Sequence, residues 1–343
     1  MVNWVRQTIL SGLTQPAFVR LTASIAGGCL PILMLHRFRD ADLGLCGLDP
    51  MLLRARLAEV RAQGFHPIGI EAAFAKLTNG SRLDRSVVFT VDDGYADFDR
   101  VAAPVFAEFD CPVTMFVTTG FADGDLWYWW DQVEFMLERS KRSTLSLELA
   151  TAREAFSWGD QRERALAVTG IVERLKREPN HVREFALSDL ARQLDVEVPR
   201  VAPSRYMPMG WGDMRRLTSR GVSFGPHSVT HPILANVDGE RAVAEIAGSW
   251  HRLLECIEDP VPVFCYPNGT IRDFGVREQS ILDRVGLKGA VTTIAGFASH
   301  RHFKRTAPLD RFVVPRFPYP EDRRSFWQVV GGLELLRNRM LAR

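Results

Sequence analysis

Two adjacent carboxylates are the first residues here that could do chemistry. Asp92 and Asp93 follow an apolar, β-rich run at 87–91 and directly precede Gly94. Neighbouring carboxylates repel each other, so both stay ionised only where a cation lies close by. A metal ion beside one aspartate would supply that charge, and the other aspartate could then take a proton from an attacking water.

Two histidines form a second candidate group. His227 and His231 lie four residues apart in the sequence H-S-V-T-H-P, after another β-rich run. On one helical turn or in a tight loop, both imidazoles can face the same point. Zn²⁺ and similar ions favour imidazole nitrogens plus a carboxylate, and catalytic sites leave one position open for water. Two histidines with one aspartate would make such a set.

Each pattern alone has an ordinary structural explanation. An isolated Asp-Asp-Gly is usually a turn, and an isolated H-x-x-x-H usually lies on the surface or in the core. Here the two patterns occur together, each after a predicted strand and each followed by Gly or Pro. Their combination favours the functional interpretation.

Short apolar runs alternate with amphipathic stretches, which indicates βα units around a largely parallel sheet or barrel. The predicted strands are 31–36, 87–91, 113–118, 222–225, 261–266, 289–293 and 312–316. The predicted helices are 50–63, 96–109, 211–220, 238–257, 275–285 and 321–341. Ligands bind at the carboxyl ends of parallel strands. Five polar features should therefore meet on one rim, namely the aspartates, the histidines, His36, Arg316 and residues 266–269.

The stretch from about 121 to 208 breaks the alternation, because it is mostly helical and charged. Four aromatic residues at 127–130 open it. Since the strand pattern resumes on both sides, we interpret this stretch as a helical insertion into an α/β domain.

Composition excludes several classes of protein. The 343 residues are 46% hydrophobic and 24% charged, which is ordinary for a globular protein. A formal net charge of +2 and the lack of a basic stripe argue against a nucleic-acid partner. The five cysteines are scattered with no C-x-x-C, so a disulfide framework is not expected and a reducing compartment is.

The N-terminal 29 residues show helical apolar spacing but no clear cleavage site. The apolar run that follows Arg20 is too short to span a bilayer. A helix docked on the domain is the simpler interpretation, and peripheral contact of residues 1–30 with a membrane surface is the alternative. The lack of a signal peptide predicts a cytoplasmic protein, with membrane association through this segment as an open alternative.

The motifs resemble those of a known family. T-V-D-D-G-Y at 90–95 is similar to the T-F-D-D-G motif of the polysaccharide deacetylases, the NodB-homology or carbohydrate esterase 4 group, with Val91 where Phe is usual. H-S-V-T-H-P at 227–232 matches the second motif, H-[ST]-x-x-H. F-C-Y-P-N-G at 264–269 resembles the third, and P-I-L-M-L-H-R at 31–37 resembles the opening strand.

The resemblance implies an α/β fold, a distorted (β/α) barrel of the NodB type, here with a helical insertion. The implied organisation is an N-terminal helical segment at 1–29, a deacetylase domain at 30–320 with the insertion at about 121–208, and a C-terminal helix at 321–343.

The resemblance also implies roles for individual residues. Asp92 would be the general base, and Asp93, His227 and His231 would hold a divalent metal, Zn²⁺ first and Co²⁺ or Ni²⁺ as alternatives. The peptide N–H near Tyr95, together with the metal, would form the oxyanion site. Tyr266, Asn268 and Trp129 are further candidates for substrate binding, Trp129 because aromatic faces stack on sugar rings.

The sequence departs from the family pattern in two places. The third motif lacks the Arg that steadies the base in many members, and Arg316 is the candidate replacement. No late L-x-H motif supplies a general acid. His36, at the end of the first strand, is the main candidate for that role, with His300 and His302 as alternatives.

The predicted function is a metal-dependent deacetylase that removes the N-acetyl group of an amino sugar in a polysaccharide, oligosaccharide or lipid-linked precursor, as in exopolysaccharide biosynthesis. Two alternatives stay open: an amide hydrolase of the same fold acting on a cyclic or purine-derived substrate, and a non-catalytic carbohydrate-binding relative. A nucleophilic hydrolase is disfavoured, because no G-x-S-x-G is present and Ser228 lies between two candidate ligands.

Overall fold

Residues 19, 22, 23 and 28–335 are described by the computed structural model. The chain divides into two units, residues 1–123 with 209–343, and residues 124–208. The predicted N-terminal segment at 1–29 lies almost wholly outside the described residues, as does the end of the predicted C-terminal helix beyond residue 335. No helix among the described residues is long and apolar enough to cross a membrane.

Twelve strands and eleven α-helices are found in the part of the chain that the structure describes. The strands are β1 (Cys29–Leu30), β2 (Ile32–Leu35), β3 (His66–Pro67), β4 (Ser86–Val91), β5 (Val113–Val117), β6 (Thr144–Glu148), β7 (Arg153–Ser157), β8 (Val222–Pro226), β9 (Val263–Cys265), β10 (Gly289–Val291), β11 (Ala298–Ser299) and β12 (Phe317–Pro318). The helices are α1 (Pro50–Ala62), α2 (Ile70–Thr78), α3 (Ala103–Glu108), α4 (Thr119–Ala122), α5 (Trp129–Arg139), α6 (Gln161–Leu175), α7 (Asn180–Leu194), α8 (Trp211–Thr218), α9 (Gly239–Cys256), α10 (Val276–Val285) and α11 (Arg323–Val330).

Parallel strands form the centre of the first unit. Their hydrogen-bonded order is β12-β2-β4-β5-β8, and β3 pairs with the amino end of β4. The parallel pair β9–β10 continues the arc, because the Val261 N–H beside β9 donates to the Phe224 carbonyl of β8 at 2.7 Å. On the far side, Val314 bridges to Val291 of β10 just before the chain enters β12. The described strands thus outline a barrel without forming one continuous hydrogen-bonded sheet.

Both faces of the central strands are mainly apolar, as expected for buried parallel strands. Leu33, Phe89 and Met115 belong to the core beneath α1, α3 and α8. Their sequence neighbours Ile32, Val88 and Phe116 point to the other face, into a second core shared with β9 and β10. Side chains alternate along a strand, so this parity fixes which residues face the interior.

Helix starts follow local sequence signals. Asp49 caps α1 by accepting from the Met51 N–H at 2.8 Å, and Pro50 takes the first helical position. Asp238 caps α9 in the same way by accepting from the Arg241 N–H. Gly286 ends α10 at φ +88°, a left-handed conformation that favours glycine.

Residues 124–208 form the second unit, which has its own core. Helices α5, α6 and α7 pack around Val133, Ile171 and Leu190. The unit also contains the antiparallel hairpin β6–β7, which the sequence interpretation missed. Leu145 and Leu147 alternate with more exposed residues, which is the strand period.

One predicted strand is wrong. Residues 312–316 do not form a strand, because Pro308–Phe312 is a 3₁₀ helix. Pro315 has no N–H to donate to a strand ladder, and pairing before β12 is limited to the single bridge at Val314. The predicted helix at 96–109 is a π-helical turn, Phe98–Ala102, followed by α3.

Candidate active site

Asp92 and Asp93 lie at the carboxyl end of β4. The Asp92 N–H donates to the Leu35 carbonyl at 3.0 Å, which extends the pairing of β4 with β2 by one residue. Val91 packs in the core beneath α1, α3 and α8. Because side chains alternate along a strand, the next residue, Asp92, faces the interior of the strand array. Asp93 then adopts φ +78° and Gly94 φ +95°. This left-handed turn bends the chain sharply where a strand would otherwise continue.

The alternation of side chains along the strands brings three further side chains to the same interior end. His36 follows Leu35, His227 follows Pro226, and Cys265 ends β9; each occupies an inward position. Gly225 of β8 also faces inward, where a Cβ would lie 2.8 Å from the Val263 carbonyl oxygen and 2.9 Å from the Phe116 ring. The glycine therefore lets β8 pass close to β9 just before His227.

Asp93, His227 and His231 form one compact donor set. The Asp93 Oδ1 lies 3.4 Å from His227 Nε2 and 3.5 Å from His231 Nε2. One ligand atom from each residue lies within 4.8 Å of the other two. The His227 Nδ1 donates to the Cys265 carbonyl oxygen at 2.7 Å, which directs Nε2 at Asp93. Without a metal, Nε2–H faces the Asp93 carboxylate, and a bound cation would take the place of that proton.

The charges of this set also fit a divalent cation. Burial opposes ionisation of Asp93, but its hydrogen bond to His227 and the neighbouring histidines hold its pKa well below the usual value. Burial, together with the charge of His227, lowers the pKa of His231 to about 3. Burial also opposes the charged form of His227, but the neighbouring Cys265 and Asp93 raise its pKa well above the usual value, and a divalent cation would displace that proton. A carboxylate with neutral imidazole is the donor chemistry of zinc sites.

A second donor group, Asp92, His227 and Cys265, lies alongside. The Asp92 carboxylate in it is already held by a cation. Arg316 donates to it twice, from Nη1 to Oδ1 at 2.8 Å and from Nη2 to Oδ2 at 2.7 Å. The fixed positive charge of the guanidinium disfavours a metal ion there, so the set around Asp93 fits a metal better.

Arg316 is buried, and its whole donor set is used. Its Nε donates to the Thr292 carbonyl at 3.0 Å, and its Nη atoms reach Thr90 Oγ1 at 2.9 Å and Cys265 Sγ at 3.1 Å in addition to Asp92. Five N–H groups thus meet five acceptors. Burial raises the pKa of Asp92, but the Arg316 charge and hydrogen bonds outweigh burial and lower it. The sequence interpretation named Arg316 but missed Thr90, although a threonine inside an apolar strand is a signal for a polar interior partner.

His36 is the most accessible of these side chains. It lies at the end of β2 with 45% of its side chain exposed, and its Nε2 is 3.9 Å from Asp92 Oδ2. The alternatives His300 and His302 lie just after β11, which pairs with β1 at the amino end of β2. They are therefore at the opposite end of the strands, which leaves His36 as the candidate acid.

Two other predicted residues are buried in ways that limit contact with substrate. The Tyr95 ring lies 3.8 Å below the Arg37 guanidinium and packs edge-on against Phe121, so only its peptide group could serve the site. Tyr266 was expected to bind substrate, and this is corrected: parity along β9 turns Cys265 inward and Tyr266 outward, where its ring stacks on Phe274 at 4.0 Å.

Two predicted substrate contacts remain predictions. Asn268 is partly exposed at φ +58° in the loop after β9, and its carbonyl accepts from the Thr293 hydroxyl at 2.6 Å. Trp129 begins α5 in the second unit, partly buried against the core of that unit, with Arg183 over its ring at 5.1 Å.

Comparison with known proteins identifies the family. The sequence profile described as "Polysaccharide deacetylase" matches residues 79–142 and 170–285, just over half of the chain. The chain belongs to the polysaccharide deacetylase family. The predicted membership and the predicted NodB-type (β/α) fold class are thereby confirmed. A search of curated proteins finds no match.

Several solved structures share the fold. The Streptococcus pyogenes deacetylase PplD, in complex with acetate, is 18% identical with a TM-score of 0.55, over 90% of this chain and 97% of that one. IcaB from Ammonifex degensii is 15% identical with a TM-score of 0.53, over 89% and 97%. A de-N-acetylase from Aggregatibacter actinomycetemcomitans is 12% identical with a TM-score of 0.51, over 86% and 96%. At these identities the likeness concerns the fold.

Proposed function

We propose that this protein is a metal-dependent deacetylase that hydrolyses the N-acetyl group of an amino sugar and releases acetate. The observation that carries the proposal is the separate pairing of two adjacent aspartates, Asp92 with Arg316 and Asp93 with two histidines. One carboxylate is thereby kept ionised and off the metal site, as a general base requires. Membership of the polysaccharide deacetylase family supports the carbohydrate reaction class.

Asp93, His227 and His231 would hold the ion, with Zn²⁺ as the first choice because of its preference for imidazole nitrogen. A divalent ion at this position supplies Lewis-acid chemistry, which activates water and stabilises negative charge on a carbonyl oxygen. The hydrogen bond from His227 Nδ1 to the Cys265 carbonyl fixes the imidazole ring so that Nε2 would face the ion.

Asp92 takes the proton of the attacking water in this proposal. Arg316 keeps its carboxylate ionised at neutral pH and fixes both oxygens by two hydrogen bonds. Positioning matters as much as pKa, because a base must lie within hydrogen-bonding reach of the proton that it removes. The buried network around Arg316 supplies that rigidity.

His36 then acts as the general acid. The water oxygen bonds to the acetyl carbon, the carbonyl oxygen becomes negative, and the peptide N–H near Tyr95 donates to it. As the C–N bond breaks, protonated His36 gives its proton to the leaving nitrogen. Acetate and a free amino sugar result, and the exposure of His36 suits a group that must reach a substrate.

The substrate in this proposal is an N-acetylated glycan, either a polysaccharide, an oligosaccharide or a lipid-linked precursor. Neighbours of the same fold include a deacetylase in complex with acetate and a de-N-acetylase. Asn268 and Trp129 stay candidate sugar contacts. We also propose a cytoplasmic protein acting in exopolysaccharide biosynthesis, with peripheral membrane contact through residues 1–30 as the alternative to a helix docked on the domain.

Acetate release is the direct test. The purified protein, loaded with Zn²⁺, Co²⁺ or Ni²⁺ in turn, is incubated with oligomers of N-acetylglucosamine and, in parallel, with a cyclic amide. Acetate from the oligomers in the wild type but not in Asp92→Asn is the expected result. Ring opening of the cyclic amide alone would favour the non-sugar amide hydrolase, and no turnover of either by any metal form would favour a binding protein.

A further inference from the structure

Helix α9 carries a buried acidic residue on its apolar face. Ala242, Ile246, Ser249 and Leu253 form the inward stripe of this helix, and Glu245 lies within that stripe with 1% of its surface exposed. Acidic side chains are almost never fully buried unless they are paired. A glutamate in the apolar stripe of a helix therefore indicates a buried polar partner.

The Glu245 carboxylate binds the loop that joins His227 to His231. Its Oε2 accepts from the Val229 N–H at 2.9 Å and from the Thr230 N–H at 2.8 Å. Its Oε1 accepts from the Thr230 hydroxyl at 2.6 Å. Three donors from two consecutive loop residues therefore converge on one carboxylate.

This loop has an unfavourable backbone that needs such support. Ser228 has φ +65° and His231 has φ +59°, and both are non-glycine residues in the left-handed region. Left-handed conformations of this kind persist only where surrounding contacts over-determine them. The opposite side of the loop is fixed by α4, whose Thr119 and Gly120 N–H groups donate to the Ser228 and Val229 carbonyls at 3.1 and 2.9 Å.

We propose that Glu245 is a positioning residue for the metal ligands, which holds the loop so that His231 faces Asp93 before any ion binds. The inference rests on the metal-dependent function proposed above. Without the carboxylate, the loop is free to relax from its left-handed turns, and ion binding has to restore them. The cost of that ordering appears as weaker metal affinity.

Arg241 is a partner of Glu245 but not its main support. Its Nη2 lies 2.7 Å from Glu245 Oε1, and 53% of its side chain is exposed. Arg241 Nη2 also donates to Thr230 Oγ1 at 3.1 Å, but solvent at the half-exposed Arg241 side chain screens the ion pair. The three hydrogen bonds from the loop should therefore carry the effect, with Arg241 as a minor contributor.

The test compares Glu245→Gln with Glu240→Gln, an exposed residue in the first turn of the same helix that changes the charge equally. Zn²⁺ affinity of the metal-free proteins is measured by chelator competition. Loss of a residue that orients metal ligands typically weakens affinity by about 10- to 100-fold, which is the expected result for Glu245→Gln only. Amide exchange at Val229 and Thr230, in the absence of metal, should accelerate in the same variant.

Unchanged Zn²⁺ affinity and unchanged amide exchange in a folded Glu245→Gln protein would overturn the proposal, as would lowered thermal stability with normal affinity. If Glu245→Gln does not fold, Thr230→Val replaces it, with Thr230→Ser as the control that keeps the hydroxyl. Zn²⁺ binding should be about tenfold weaker in Thr230→Val. It should be unchanged in Thr230→Ser. If the wild type binds no metal, the proposed function fails, and the exchange rates alone decide whether Glu245 fixes the loop.

Discussion

Replacing Arg316 is the sharpest test of how the candidate base is kept ionised. The Arg316 side chain is 0% exposed, and its partner Asp92 is 3% exposed. Methionine at 316 fills similar volume without charge, so Asp92 would remain in the interior with no cation bound to it. Lysine keeps the charge but has three donors in place of five and cannot bind a carboxylate in the bidentate manner.

The expected magnitudes follow from this burial. Removing one partner of a buried ion pair destabilises a protein by about 3–5 kcal/mol, because the other charge is left uncompensated. Arg316→Met should therefore lower the free energy of unfolding by about that amount. Arg316→Lys should cost about 1.5–3 kcal/mol, the range for losing a hydrogen bond to a charged group. The double variant Arg316→Met/Asp92→Asn should recover part of the loss, because no charge is then buried alone.

The pH dependence has a definite sign. Arg316 lowers the pKa of Asp92 against the opposing effect of burial. In Arg316→Met burial is opposed only by the smaller effects of His36 and His227, so the pKa of Asp92 should rise from its lowered value. The base is then ionised only at higher pH, and the acidic limb of the kcat/KM profile should move upward. In the wild type, the stability from this pair is present above about pH 5 and is lost as pH falls through the lowered pKa.

Urea unfolding and pH–rate profiles with an N-acetylglucosamine oligomer measure these effects. Arg54→Met is a matched control, because Arg54 pairs with Glu108 at 2.8 Å on the surface, where a pair contributes about 0–1 kcal/mol. Zn²⁺ affinity adds a third readout. Removing a nearby positive charge should leave it unchanged or raise it, whereas structural collapse would lower it. An acidic limb that stays in place in a folded Arg316→Met protein would refute the reasoning.

Three further predictions concern the other groups. His231→Ala should lose Zn²⁺ and activity together, as measured by metal analysis after dialysis, and full metal content would remove His231 from the ligand set. Asp92→Asn should keep its metal while kcat falls by at least about 100-fold, and substantial remaining turnover would exclude Asp92 as the base. His36→Ala should remove the basic limb of the pH–rate profile, and an unchanged profile would assign the proton to solvent.

The position of the candidate site could be predicted from sequence because strand period and motif position agree. The run at 87–91 is apolar except for Thr90, and 222–225 alternates Val222 and Phe224 with Ser223 and Gly225, which indicates two buried strands. Parallel strands carry their carboxyl ends to one edge, so Asp92 and His227 had to be near each other. The alternation of side chains along β4 and β8 turns both Asp92 and His227 to the interior.

The positions of Arg316, Tyr266 and the hairpin β6–β7 depend on tertiary contacts that the hydrophobic period of the sequence does not encode. Arg316 follows an irregular segment whose apolar residues resemble a strand. The bridge from Val314 to β10 and the hydrogen bond from the Arg316 N–H to the Ile294 carbonyl at 3.1 Å bring it to Asp92. Tyr266 lies in a motif that resembles the family's third motif, but it follows β9 at a position that faces away from the interior. Its ring packs in the core formed with α9 and α10. The hairpin β6–β7 was missed because its five-residue strands lie within a charged, mainly helical stretch.

Asp93 shows how the chain makes two adjacent like charges compatible. Ordinary alternation after Asp92 would send the Asp93 carboxylate outward, but its φ of +78° returns it to the interior beside the histidines. Aspartate and asparagine tolerate this conformation better than alanine does. Asp93→Asn therefore changes the charge and keeps the turn, whereas Asp93→Ala changes both. Both variants should lose Zn²⁺ affinity, but in the metal-free state Asp93→Ala should be less stable than Asp93→Asn by about 1 kcal/mol. Equal stability of the two metal-free proteins would show that the turn is held by Gly94 and its neighbours alone.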